Sequence, residues 1–193
     1  MIFCNPLADF TMKYDEQKTA QLAAYFLQKS DGTLYLIKLL KLLYIADREA
    51  FRALGRPISF DRYVSMEHGP VLSHTLNLMN GAVQGSGYWN SIISPRENHK
   101  LSISDESEIN FGALSDAEIS IADKVYQEFG HIRRFDLCDM THSFDEWTDP
   151  GTSSEPLHYN DVLSAVGYSD ADAKSAIKNM EEQAALAEFF ESA

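Results

Sequence analysis

Little in this 193-residue chain can cross-link or interrupt it, because it holds only two cysteines, six prolines and ten glycines. Cys4 and Cys138 are too few and too far apart to be a disulfide framework, so a reducing cytoplasm is the expected setting. No stretch approaches the ~18 apolar residues of a membrane span, and the opening MIFCNPLADF has no basic flank and soon meets Asp9. Neither export nor contact with a membrane is expected. Basic residues are also scarce: 16 Lys and Arg face 29 Asp and Glu, a formal charge of −13. Such a field repels a phosphate backbone, which disfavours direct nucleic-acid binding unless a local basic patch escapes the average. The deficit is uneven. Residues 1–56 carry eight basic and six acidic side chains (+2), and the remainder carries eight and 23 (−15).

What is present is apolar surface, 45% of residues being hydrophobic and 11% aromatic. That suffices for one core without staples. The pattern predicts a mainly α fold of the α+β class, compact and helical around a central buried helix with a small antiparallel β-sheet. Asp15 is placed to cap a helix over 16–28. The segment 34–54 is apolar around most of its circumference and is the expected central helix, ended by Gly55 and Pro57. Residues 62–66 alternate as a strand, and Gly69-Pro70 are set to start a helix over 71–79. Two alternating runs, 88–93 and 100–103, read with their surroundings as loop plus one or two strands pairing with the first. Ser115-Asp116-Ala117-Glu118 matches a capping box that opens a helix ending near Gly130. Shorter helices are expected over 136–143 and 160–166, separated by a turn-rich piece, before a final helix over 169–190 with Ala173, Ala176, Ile177, Met180, Ala184 and Phe189 along one side.

Complete chemical motifs are missing. There is no P-loop, Gly-x-Ser-x-Gly or Gly-x-Gly-x-x-Gly, and the Gly-rich piece 81–87 lacks a lysine. The histidine spacings fit no zinc pattern, so no metal and no cofactor are expected. Cys138 and His142 lie four apart, on one helical face, which admits a thiol and base pair and equally a buried thiol beside an imidazole. Adjacent carboxylates such as Asp145 and Glu146 are expected to be solvated. Asp47, on the apolar central helix, is expected to be paired or hydrogen-bonded inside. The helix after Gly69 offers no Arg or Lys to read DNA.

The run Lys41-Leu42-Leu43-Tyr44-Ile45-Ala46-Asp47, then Gly55-Arg56-Pro57, then Asp61 to Val71 through His68-Gly69-Pro70, resembles the Panacea domain of SocA-like antitoxins and phage GepA-like proteins. Leu114-Ser115, Phe129-Gly130, Leu137, Thr141-His142-Ser143 and Glu146-Trp147 agree in order. The resemblance implies a compact, mainly helical domain that neutralises a toxin by direct contact and, in some relatives, delivers it to a AAA+ protease. It divides the chain into an N-terminal extension (1–14), the Panacea-like domain (15–170) and a C-terminal helix packed on it (171–193). The motif residues Lys41, Leu42, Tyr44, Asp47, Gly55, Pro57, Gly69, Pro70, Thr141, His142 and Trp147 form no catalytic set and are expected mostly to maintain the fold. No appended DNA-binding domain is expected, so autoregulation through DNA contact is not expected either.

The leading expectation is therefore a non-enzymatic, cytoplasmic antitoxin acting on an adjacent-encoded, basic toxin of a toxin–antitoxin system, of host or phage origin. A proteolytic adaptor using the tail 189–193, and a small hydrolase using Cys138 and His142, are the alternatives.

Overall fold

The computed structural model describes residues 13–84, 87–104 and 109–191. The first twelve residues with Cys4, the pair Gly85-Ser86, the segment 105–108 and Ser192-Ala193 lie outside the described residues.

Helix α1 (Glu16–Lys29) starts where Asp15 accepts the Lys18 N–H at 2.9 Å. At Gly32 the backbone turns with φ +84°, and Thr33–Tyr35 forms β1 before α2 (Leu36–Leu54) begins. The central helix thus starts two residues later than its apolar pattern suggests, because Thr33 and Tyr35 flank Leu34 in strand alternation and find a partner strand. Leu39 to Asp47 are buried without interruption, so α2 is enclosed by other elements. Gly55 ends it in the left-handed conformation, φ +68°.

Strand β2 (Tyr63–Ser65) and β3 (Val71–Leu72) form a hairpin with Tyr63 opposite Leu72. Gly69-Pro70 therefore closes a turn, with Gly69 donating to the Met66 carbonyl at 2.9 Å, and does not start a helix. Helix α3 (Ser73–Met79) begins two residues later. Its N–H groups are satisfied from a distance: Asp61 accepts from His74 and Thr75 backbone amides at 2.9 and 2.8 Å.

Residues expected as a strand at 88–93 instead form a short helix, α4 (Tyr88–Ile92). Trp89 is buried at 2% exposure and its N–H donates to the Glu16 carboxylate of α1, a tertiary contact that overrides β-propensity. Strand β4 (Lys100–Ser102) pairs with β1, Leu101 opposite Leu34, and not with β2. Helix α5 (Asp116–Phe129) carries the complete capping box of Ser115 and Glu118. After α6 (Arg134–Thr141), the turn-rich piece holds a strand, β5 (Glu155–Leu157), which joins β2 as the third member of sheet β3-β2-β5. Pro156 is tolerated because β5 lies at the sheet edge. Helices α7 (Tyr159–Ala165) and α8 (Asp170–Glu191) complete the chain.

The fold is mainly α with small antiparallel sheets, as expected, although the strands divide between two sheets. The core wraps α2 with α1, α5, α6 and α7. On α8, Ala173 and Met180 are buried, whereas Phe189 is 65% exposed and leaves the expected stripe.

Asp61 is the cheapest point at which to test this architecture. It also accepts from the Thr75 hydroxyl at 2.6 Å, while its carbonyl accepts from Tyr159. Asp61→Ala should lower urea stability by about 2–4 kcal/mol, since it strands several buried donors. A loss below about 0.5 kcal/mol would mean that these contacts do not hold α3.

Candidate functional site

The motif residues converge in the interior around two turns of α2. Asp47 is fully buried, and its Oδ1 accepts the Ile58 and Ser59 amides at 2.8 and 3.0 Å. Its Oδ2 accepts the Tyr63 hydroxyl at 2.8 Å and the Ser59 hydroxyl. One carboxylate thus ties the chain that leaves α2 at Gly55 and Pro57 back onto the same helix. Burial pushes its carboxyl up to about 6, and the four donors oppose that rise.

One turn earlier, Lys41 is also fully buried, and its Nζ donates to the Pro70 carbonyl at 2.8 Å. Gly69, at φ +87°, lies so close that a Cβ there would fall on the Thr141 hydroxyl and 2.9 Å from Lys41 Nζ. Thr141 itself donates to the Cys138 carbonyl at 2.7 Å. Lys41, Gly69, Pro70 and Thr141 therefore form one junction between α2, the hairpin turn and the end of α6. Burial pushes the Lys41 ammonium down to about 7.

Next to this junction His142 caps α6, and its ring stacks on Trp147 at 4.2 Å and 18°. Trp147 donates to the Met66 carbonyl at 3.2 Å, holding the other end of the hairpin turn. His142 Nε2 is buried without a hydrogen-bond partner. Tyr44 donates to Glu146 at 2.8 Å, and Arg48 Nε reaches the same oxygen at 2.8 Å. Glu146, expected in solvent, is 6% exposed and is the anion of an internal triad, with Arg48 lying over Phe144. Adjacency to Asp145 concealed it; the signal was the cation Arg48 on an otherwise buried helix. Leu42 packs in the core.

Cys138 is 3% exposed and burial raises its thiol above the usual value, so no thiolate is presented to solvent there. Among the described residues, no three His, Cys, Asp or Glu side chains group as a metal site. Concave surface lies elsewhere. A groove of about 840 Å³ separates α8 from α3, lined by Met180, Ala184, Ala187, Tyr14 and Phe60. A second, of about 610 Å³, is ringed by Lys38, Lys100, Arg133 and Arg134.

The result is a helical α+β body in which most of the polar motif groups are engaged in internal contacts. A model of the antitoxin SocA-like Panacea domain matches residues 39–148, more than half of the chain, and the protein belongs to that family. No curated protein and no solved structure matches it.

Two measurements test the junction. Gly69→Ala should destabilise by about 3 kcal/mol or more, because it adds a clash to a positive φ. The second uses pH. Between the folded value near 7 and the ordinary 10.5, only the unfolded chain keeps the Lys41 proton, so this group's contribution to stability rises with pH across that window. Asp47 behaves oppositely: from 3.8 to about 6 only the folded chain keeps the proton, and its contribution falls as pH rises. The urea-stability gap of the protein over Lys41→Met should therefore widen in the protein's favour from pH 7 to 10, and that over Asp47→Asn should narrow from pH 4 to 6. Gaps that stay constant would contradict the burial of these charges.

Proposed function

We propose that the protein is an antitoxin that neutralises a basic partner toxin by binding it directly. The observation that carries this reading is the Panacea match over 39–148, within which the polar motif groups are spent on internal contacts. Partner choice then falls to the surface. Outside the matched span, α8 carries six acidic and two basic side chains and exposes Leu186, Phe189 and Phe190 at 57, 65 and 69%. Exposed aromatics beside one sign of charge suit a protein partner of the opposite sign. The groove between α8 and α3 gives its apolar segment a seat. Toxin blocked in this way is occluded, and its approach is steered by charge.

Co-expression with the product of the adjacent gene should rescue growth, and the two proteins should co-elute in gel filtration. A harmless neighbour with no complex overturns the proposal. Reversing Glu181 and Glu188 to Lys should slow association about tenfold at low salt and less at high salt. Association unchanged at every salt would place the contact elsewhere.

The three exposed apolar side chains also favour a second reading, an adaptor that passes the toxin to a AAA+ protease. In that reading the rest of the body holds the toxin and the tail meets the protease, so removal of residues 189–193 should lengthen toxin half-life and leave the complex intact; unchanged turnover refutes it.

A further inference from the structure

One surface of this acidic chain is positive. Register places Lys100 of β4 beside Tyr35 of β1, with the ammonium 4.9 Å from the ring centre. The Arg134 guanidinium lies over the same ring at 3.9 Å and within 4.8 Å of Phe135, which is 55% exposed. Among the described residues, neither cation has a carboxylate partner. Arg133 is answered by Asp136 at 2.7 Å, while Lys38 adds a further positive charge to the wall. The open end of α6 points the same way. Its N-cap, Arg133, makes no side-chain cap, and the one acid of its first turn, Asp136, is paired with Arg133.

Three properties of this pocket narrow its ligand. Its volume, about 610 Å³, lies in the range of roughly 300–1,000 Å³ usual for small-molecule sites. A lone carboxylate brings one negative charge and would leave most of the cations unanswered, whereas a phosphate brings about −1.5 to −2 and three acceptor oxygens. Those oxygens match a guanidinium fork, an ammonium and helix amides together. The exposed face of Phe135 adds a flat apolar platform of the kind on which a base stacks. A polymer is disfavoured because every further phosphate would enter the field of a chain of net charge −13.

We infer that this pocket binds a free nucleotide of nucleoside-diphosphate size, its phosphates held by Lys100, Arg134 and the open end of α6 and its base lying on Phe135. The site joins the β1–β4 ribbon to α6, whose far end carries Thr141 at the Lys41 junction. Bound nucleotide would therefore tie the β1–β4 ribbon to α6, the helix whose other end is held at the motif junction.

Isothermal titration of the full chain with ADP, adenosine and pyrophosphate tests this. ADP should bind, adenosine should bind at least tenfold more weakly, and Arg134→Gln or Lys100→Gln should each weaken ADP about tenfold. Phe135→Ala should weaken ADP by a similar factor and leave pyrophosphate unchanged. All three side chains lie at the surface, and equal thermal midpoints establish that the variants are folded. No heat with ADP at millimolar concentration, or ADP affinity indifferent to Arg134→Gln, overturns the site. So does tighter binding of a 5′-phosphorylated ten-nucleotide single strand, or of a Glu-rich peptide, in the same titration. The assay needs no toxin, so its failure leaves toxin neutralisation standing, and loss of toxin binding leaves the nucleotide site standing.

Discussion

The buried carboxylate of Asp47 is the constraint from which the fold around α2 follows. A helix apolar on nearly every side must be surrounded, and the chain that leaves it must cross its own flank through Pro57, Ile58 and Ser59, all buried. Those crossing residues form no ladder, so their amides need acceptors inside the protein. Asp47 supplies them, and by taking the Tyr63 hydroxyl as well it sets where β2 begins. Once β2 is placed, its hairpin turn comes to rest on Lys41 and Thr141, which fixes α6.

The same device recurs. Asp61 ends the crossing and holds α3; Glu146 collects Tyr44 and Arg48; Glu118 closes its own capping box and accepts Lys18 and Arg56 at 2.9 Å. Each carboxylate links segments distant in sequence, and each would be costly to leave half-answered. The acidity of the chain thus has two physical meanings. A few acids organise the interior, and the remainder charge the surface on which we propose that a basic partner docks. The cation-lined pocket between β1 and α6 departs from that surface, with the Arg134 guanidinium and the Lys100 ammonium gathered on the Tyr35 ring.

Much of this could be read from the chain. Continuous apolarity marked α2, a four-residue capping pattern marked α5, and a carboxylate on an apolar helix marked Asp47 as an internal acceptor. The misreadings share one cause. Thr33–Tyr35, Tyr88–Ile92 and Glu155–Leu157 are each five residues or fewer, too short for periodicity to speak, and their state is decided by a distant partner: β4, Glu16 and β2 respectively. Glu146 escaped for a related reason, since its partners lie about a hundred positions away on α2. The Panacea motif residues stood out as a series; the structure supplies what links Lys41, Gly69, Pro70 and Thr141.

Native-state hydrogen exchange at the Ile58 and Ser59 amides tests the central claim most directly. These amides sit in no helix or strand, yet if Asp47 holds the crossing segment they should exchange only through global unfolding, as slowly as the middle of α2. Exchange at the rate of an open loop, with α2 still protected, would contradict it.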